Sequence, residues 1–276
     1  MIHPHSGRSA TGEIEARQAL SRSSLSDYVV NPYSGCQHGC RYCYVQRYFK
    51  SRTSPPVPWG LEVYARTNVP DLVCQETRKK ASGKVLLSSM TDAYQPLESR
   101  YRLTRGTLEC LVETDFPVSI LTKSSLVLRD IDLLTKHHES EVTFSISSLD
   151  TEVYKAFEPG ATPPEARINA LSVVLESGIK GGLFVAPHIP VAEPFDVQYR
   201  PILENASELG LRELTFDFLN FSSVMRRAIM RTYESDYPQG MDTFLEMTKN
   251  PRRYEENWKV SVAELAERFG IRASFV

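Results

Sequence analysis

From Tyr28 to Leu219, short β-branched runs alternate with stretches of helical period, which predicts an α/β fold made of six β/α units around a parallel sheet. Two further observations support this class. At 276 residues, 41% hydrophobic and 24% charged, the chain has the length and balance of a globular protein with one substantial core. Its longer apolar runs, such as Gly182-Leu183-Phe184-Val185-Ala186 and Val118-Ser119-Ile120-Leu121, suit strands and are far too short to span a membrane.

The elements follow in chain order. Residues 1–24 are polar, rich in Ser and Arg and without periodicity, and read as a mobile arm or lid. They carry no apolar h-region and no small-residue cleavage site, so the expected location is cytoplasmic. Strands are expected at 27–31, 84–90, 117–123, 141–147, 181–189 and 213–219, and helices near 41–49, 70–80, 98–113, 127–136, 164–177 and 197–209. Ser124 or Ser125 can cap the fourth helix, and Gly178 stands where the fifth should stop. Beyond Phe221 the charged tail has helical stretches and ends in Arg272-Ala273-Ser274-Phe275-Val276, which can pair as an edge strand. The chain thus divides into an arm at 1–24, a β/α body at 25–220 and a C-terminal extension at 221–276 that packs on the body. A net charge of −2 argues against a general nucleic-acid coat.

The most informative stretch is Asn31-Pro32-Tyr33-Ser34-Gly35-Cys36-Gln37-His38-Gly39-Cys40-Arg41-Tyr42-Cys43-Tyr44, whose cysteines are spaced Cys-x3-Cys-x2-Cys. Three thiolates on so short a loop, kept flexible by Gly35 and Gly39, can hold three corners of a 4Fe–4S cluster and leave the fourth iron open to a small molecule. Zinc is an alternative, with His38 completing a Cys3His set, and a disulfide is another. Zinc motifs more often begin with Cys-x2-Cys and add a second pair. Here Cys74 and Cys110 stand isolated in helical segments, where a buried structural thiol is the usual case.

This motif, with Tyr42 just before the third cysteine, resembles the radical S-adenosylmethionine (radical SAM) enzymes. The likeness narrows over about residues 28–190. There Leu86-Leu87-Ser88-Ser89-Met90-Thr91-Asp92-Ala93-Tyr94-Gln95-Pro96, Thr122-Lys123-Ser124, Phe144-Ser145-Ile146-Ser147 and Phe157-Glu158-Pro159-Gly160 are similar, in the same order, to spore photoproduct lyase-like members. The resemblance implies a partial (β/α)6 barrel of the radical SAM type with an N-terminal arm and a C-terminal extension, its site built at the strand C-terminal ends. It also implies a 4Fe–4S cluster on Cys36, Cys40 and Cys43, with SAM on the open iron. Reductive cleavage of SAM would then yield a 5′-deoxyadenosyl radical that abstracts hydrogen from a small-molecule or nucleotide-like substrate.

By position, the resemblance assigns Lys123 to the SAM carboxylate, Ser145 to a polar contact, Arg167 to the ribose or carboxylate, and Ala186 to backbone contact with the adenine. Tyr42 becomes an adenine or substrate wall. Ser89 occupies the place where spore photoproduct lyases carry the cysteine that returns a hydrogen atom. A serine O–H bond is too strong for that task, so repair of thymine dimers is not expected. Tyr44, whose phenol can form a stable radical, and His188, placed at a strand end facing the mouth, complete the candidate catalytic set; Asp92 and Asp217 are further strand-end carboxylates.

An external flavodoxin- or ferredoxin-type electron donor is implied, with Arg41, Arg47, Lys50 and Arg52 as a basic docking face. Two other functions remain open. DNA photolesion repair has Arg226, Arg227, Arg231, Lys249, Arg252 and Arg253 as basic groups in its favour. A non-catalytic metal-binding protein would use the cysteine loop for structure alone.

Overall fold

The computed structural model describes residues 10–137, 139–219 and 223–276. In chain order its strands are β1 (Ala10–Ile14), β2 (Tyr28–Val30), β3 (Tyr33–Ser34), β4 (Glu62–Arg66), β5 (Val85–Leu87), β6 (Val118–Thr122), β7 (Ser140–Ile146), β8 (Lys180–Val185), β9 (Glu213–Phe216) and β10 (Arg272–Phe275). The helices are α1 (Val69–Thr77), α2 (Glu98–Tyr101), α3 (Leu103–Leu111), α4 (Ile131–Leu134), α5 (Thr151–Phe157), α6 (Pro164–Glu176), α7 (Asp196–Glu208), α8 (Ser223–Ser235), α9 (Met241–Lys249) and α10 (Pro251–Arg268). Short 3-10 turns lie at Tyr44–Arg47, Ser125–Asp130 and Pro238–Gly240.

Seven strands form one sheet in the order β10-β9-β8-β7-β6-β5-β2, every neighbouring pair parallel. All six strands expected from the sequence lie in it, and the C-terminal edge strand joins as the seventh. Val118, Ile120, Val142, Phe144, Leu183, Val185, Leu214 and Phe216 bury its core-facing positions. Helix α6 covers β7 and β8, while Trp258, Val262, Leu265 and Ala266 of α10 enter the same core. Ser124 caps the turn after β6 by accepting from Leu126 N–H, and Gly178 takes φ +76° just past α6.

A second sheet, β1-β4-β3, lies outside the six expected units. Residues 10–14 of the predicted arm form β1, which runs parallel to β4 with Ala10 opposite Glu62 and Ile14 opposite Arg66. Ala19 and Leu20 are buried, and their N–H groups bond to the Glu76 carboxylate. The alternation of β1 escapes the sequence pattern because its five residues, Ala-Thr-Gly-Glu-Ile, contain one large apolar side chain. Residues 1–9 of the arm lie outside the described residues.

The helix expected over 98–113 is split at Arg102, which sits in the left-handed region at φ +53°. The buried Glu98 carboxylate causes the break. It accepts from Thr104 N–H and Arg105 N–H at the start of α3 and pairs with Arg129, so the chain turns back over it. The helix expected at 41–49 shrinks to the 3-10 turn, and α5, capped by Asp150, was not expected. A further correction concerns Cys74 and Cys110. Packing of α1 on α3 brings their Cα atoms to 5.1 Å and joins them in a disulfide, so they are not isolated thiols. Among the described residues no helix is long and apolar enough to cross a membrane.

Candidate active site

The cysteine loop, residues 35–43, leaves β3 and crosses the C-terminal ends of the main strands. Gly35 starts it at φ +86°, where a Cβ would lie 2.2 Å from the Glu62 carbonyl oxygen. The turn after β5 braces it from one side. The Thr91 hydroxyl donates to the Gly35 carbonyl at 2.6 Å, and the Gln37 N–H donates to Gln95 Oε1 at 2.9 Å. The loop after α5 braces it from the other. Gly160 N–H donates to the His38 carbonyl at 3.0 Å, Arg41 N–H donates to the Phe157 carbonyl at 2.9 Å, and a Cβ on Gly160 would meet the Gln37 carbonyl at 2.2 Å.

Asp92 ties this loop to the strand ends. Its carboxylate accepts from Tyr94 N–H, Thr122 Oγ1 and Lys123 N–H at 2.7–2.8 Å, and His38 Nδ1 lies 3.4 Å away. Burial works to raise this carboxyl, yet the adjacent His38 and the hydrogen bonds hold it down at about 2. Asp92 therefore acts as a buried anchor for both Lys123 and His38.

Three neighbouring strand ends then supply one line of polar groups. Lys123, after β6, donates from Nζ to Ser145 Oγ of β7 at 2.9 Å, and Ser145 Oγ donates to the Ala186 carbonyl after β8 at 3.3 Å. The Lys123 ammonium lies 5.7 Å from the centre of the Tyr42 ring. Beneath this line, Arg167 is fully buried and donates to the carbonyls of Ser145 and Thr162 and to Glu158. Glu158 also accepts from the hydroxyls of Tyr42 and Ser147. Burial opposes its ionisation, but Arg167 and Lys123 keep its carboxyl below the ordinary value.

Residues 30–194 match the radical SAM superfamily. The chain belongs to that superfamily. An uncharacterised protein of Methanocaldococcus jannaschii is 33% identical over 246 residues, covering 88% of this chain and 90% of its own length. Spore photoproduct lyase of Bacillus subtilis is 28% identical over 244 residues, covering 85% of this chain and 66% of its own length. A solved spore photoproduct lyase complexed with dinucleoside spore photoproduct superposes with a TM-score of 0.67 at 19% identity, covering 96% of this chain and 82% of the other. The parallel sheet is the partial barrel of radical SAM enzymes, and the relatives support the spore photoproduct lyase-like subgroup.

The donor set fits the cluster that the superfamily implies. Cys36 and Cys40 are buried, Cys43 is half-buried, and all three are free thiols. Burial pushes all three up, Cys40 to about 12, and the neighbouring thiols add to the rise at Cys36 and Cys40. Thiols gathered in so dry a place stay ionised only beside a strongly cationic centre. Among the described residues no three His, Cys, Asp or Glu groups converge closely enough to hold a single metal ion.

The structure brings Tyr44 and Ser89 together. The Tyr44 hydroxyl donates to the Ser89 carbonyl at 2.6 Å, and burial pushes its phenol up. The turn carrying Ser89 is held by Asn31, whose Oδ1 accepts from Ser89 N–H and Met90 N–H. His188, expected at a strand end, is enclosed: it is 1% exposed, with Nδ1 2.6 Å from Tyr199 Oη and its ring stacked on Tyr199, Phe218, Tyr254 and Trp258. Burial pushes its imidazole down to about 3. The aromatics of α7 and α10 enclose it, and nothing in the isolated string Ala186-Pro187-His188 signals them. Asp217 is raised by burial, and its carbonyl accepts from His188 N–H. Sequence reasoning overlooked Glu158, Gln95 and Asn31 as supports. Each lies inside a quoted motif and pairs with a residue distant in sequence.

Proposed function

We propose that this radical SAM enzyme holds a 4Fe–4S cluster on Cys36, Cys40 and Cys43, and binds SAM along Lys123, Ser145 and Ala186. When bound, these groups supply one-electron chemistry able to remove a hydrogen atom from an unactivated C–H bond. The observation that carries this reading is the hydrogen-bonded line from Lys123 through Ser145 to Ala186 beside the cysteine loop. Lys123 offers a compact positive charge for the SAM carboxylate, oriented by Ser145 at Nζ and by Asp92 at the backbone. Arg167 is a positioning residue. Its nitrogens are engaged by Ser145, Thr162 and Glu158, so it fixes β7 and Tyr42 instead of reaching the ribose. The apolar residues Met225, Ile229, Tyr233 and Phe244 pack with Cys40 and Tyr42 and exclude water from that side.

The substrate is nucleotide-like in this reading, supported by the kinship with spore photoproduct lyase, whose solved complex contains a dinucleoside. Ser89 lacks the thiol needed to return a hydrogen atom, so the reaction departs from dimer repair, with Tyr44 as the oxidisable group against Ser89. An external flavodoxin- or ferredoxin-type donor supplies the electron. The test is SAM titration of the reduced cluster, followed by paramagnetic resonance, in wild type and Lys123→Met. The variant should bind SAM about tenfold or more weakly, as for a lost charge-assisted hydrogen bond. Equal affinity would remove Lys123 from the site. Nucleotides should also stimulate 5′-deoxyadenosine formation; stimulation only by an unrelated small molecule would reassign the substrate class.

A further inference from the structure

The 3-10 turn at Tyr44–Arg47, the segment that follows it and β4 enclose a cavity of about 390 Å³ with Lys50, Arg52 and Arg66 on its wall. Among the described residues no Asp or Glu lines it. Among the described residues none of the three cations has a carboxylate partner. The Arg66 guanidinium makes one hydrogen bond to the described residues, from Nη1 to the Asn31 carbonyl at 3.3 Å, and Arg52 lies over the Tyr64 ring at 5.2 Å. The buried carboxylate of this region, Glu62, is turned under the segment and accepts from the Ser51 and Thr53 hydroxyls and from Arg52 N–H. It is therefore engaged elsewhere.

Burial and the neighbouring Arg52 charge both pull the Arg66 guanidinium down, so this half-buried group, beside the exposed Arg52, is electrostatically uncompensated. An oxyanion relieves that cost, and two guanidinium forks match phosphate oxygens. The place suits a substrate group. Asn31 and Met90 line the same cavity, and Asn31 holds the Ser89 turn against which Tyr44 rests. Tyr48 and Phe49 add aromatic faces of the kind on which bases stack.

We propose that this cavity is a phosphate subsite, in which Arg66, Arg52 and Lys50 hold a phosphate of the substrate next to the Tyr44 and Ser89 pair. The substrate is then a phosphorylated nucleotide or a strand segment, not a free nucleoside. This rests on the nucleotide-like reading above. A concave pocket with a half-buried arginine fits a small oxyanion better than the convex acidic face of an electron-donor protein, although Lys50 and Arg52 belong to the basic set expected to dock one.

The experiment is calorimetric titration of the full chain, anaerobically reconstituted, with thymidine 5′-monophosphate, thymidine and inorganic phosphate. The monophosphate should bind about tenfold or more tightly than thymidine. That advantage should vanish in Arg66→Gln, return in part in Arg66→Lys, and shrink in Lys50→Gln, an exposed position where misfolding is not at issue. Iron content and melting temperature check the Arg66 variants. Equal monophosphate affinity in wild type and all variants overturns the subsite while leaving nucleotide binding intact. Arg66-dependent binding of inorganic phosphate without any nucleotide binding keeps the subsite and overturns the nucleotide reading. Loss of flavodoxin binding in these variants, with phosphate binding unchanged, assigns the surface to the electron donor and overturns the proposal.

Discussion

Glu158 joins two lines of support, since Arg167 and the Tyr42 hydroxyl both bond to a carboxylate with no exposed surface. Glu158→Gln leaves the Arg167 charge buried without its partner, which should cost about 3–5 kcal/mol in urea unfolding. A loss below about 1 kcal/mol would mean that the pair is solvated in solution. His188 makes a prediction of opposite origin. Its folded pKa of about 3 lies below the ordinary 6.5, so the unfolded chain binds the extra proton between those values. Stability from this group is complete above pH 6.5 and falls by up to about 1.4 kcal/mol per unit as pH drops through that window. His188→Gln should flatten the dependence of the unfolding midpoint on pH between 4 and 6; an unchanged slope would place the titration elsewhere. These two residues also show what a sequence can reveal at this scale. Lys123 and Ser145 were singled out by the resemblance of their short motifs, and the structure places the two side chains in hydrogen-bond contact. The buried state of Arg167 and the aromatic enclosure of His188 depend on α5, α7 and α10, which come from distant parts of the chain.

At the scale of elements, the cysteine loop is shaped by backbone contacts that leave no room for side chains. Gly35→Ala and Gly160→Ala each drive a Cβ to 2.2 Å from a carbonyl oxygen, so each should lower the iron retained per chain after anaerobic reconstitution. Gly178→Ala is the control. It shares the positive φ of Gly35 but has nothing within 4 Å of its Cβ, so it should lose about 1–2 kcal/mol of stability and keep its iron. Equal iron in all three variants would show that the loop can shift to make room. The disulfide between α1 and α3 closes a separation of 36 residues, and the double variant Cys74→Ser with Cys110→Ser should lose about 2–4 kcal/mol. A melting temperature equal to wild type without reductant would mean that these thiols are reduced in the native protein. The six parallel strands were legible because each is a short apolar run between turn signals. The small sheet was not, because β1 and β3 are too short or too mixed to show a period, and their partner β4 lies tens of residues away.

For the whole molecule, the parallel sheet places Asn31, Ser89, Lys123, Ser145 and Ala186 at successive strand ends, and the cysteine loop crosses above them. The C-terminal helices complete this arrangement from outside the barrel, with α10 entering the main core and α8 and α9 packing around Cys40 and Tyr42. That coupling explains why the fold class followed from alternation alone, whereas the closure of the site depended on tertiary contacts that no local pattern encodes. The central claim is that three thiols and the Lys123 line together form a radical SAM centre. The most direct test is anaerobic reconstitution followed by reductant and SAM, with 5′-deoxyadenosine and bound iron measured in wild type and Cys40→Ala. The account predicts product in wild type and none in the variant, with iron lost in parallel; a fully iron-loaded wild type that cleaves no SAM, with or without nucleotides, would contradict it.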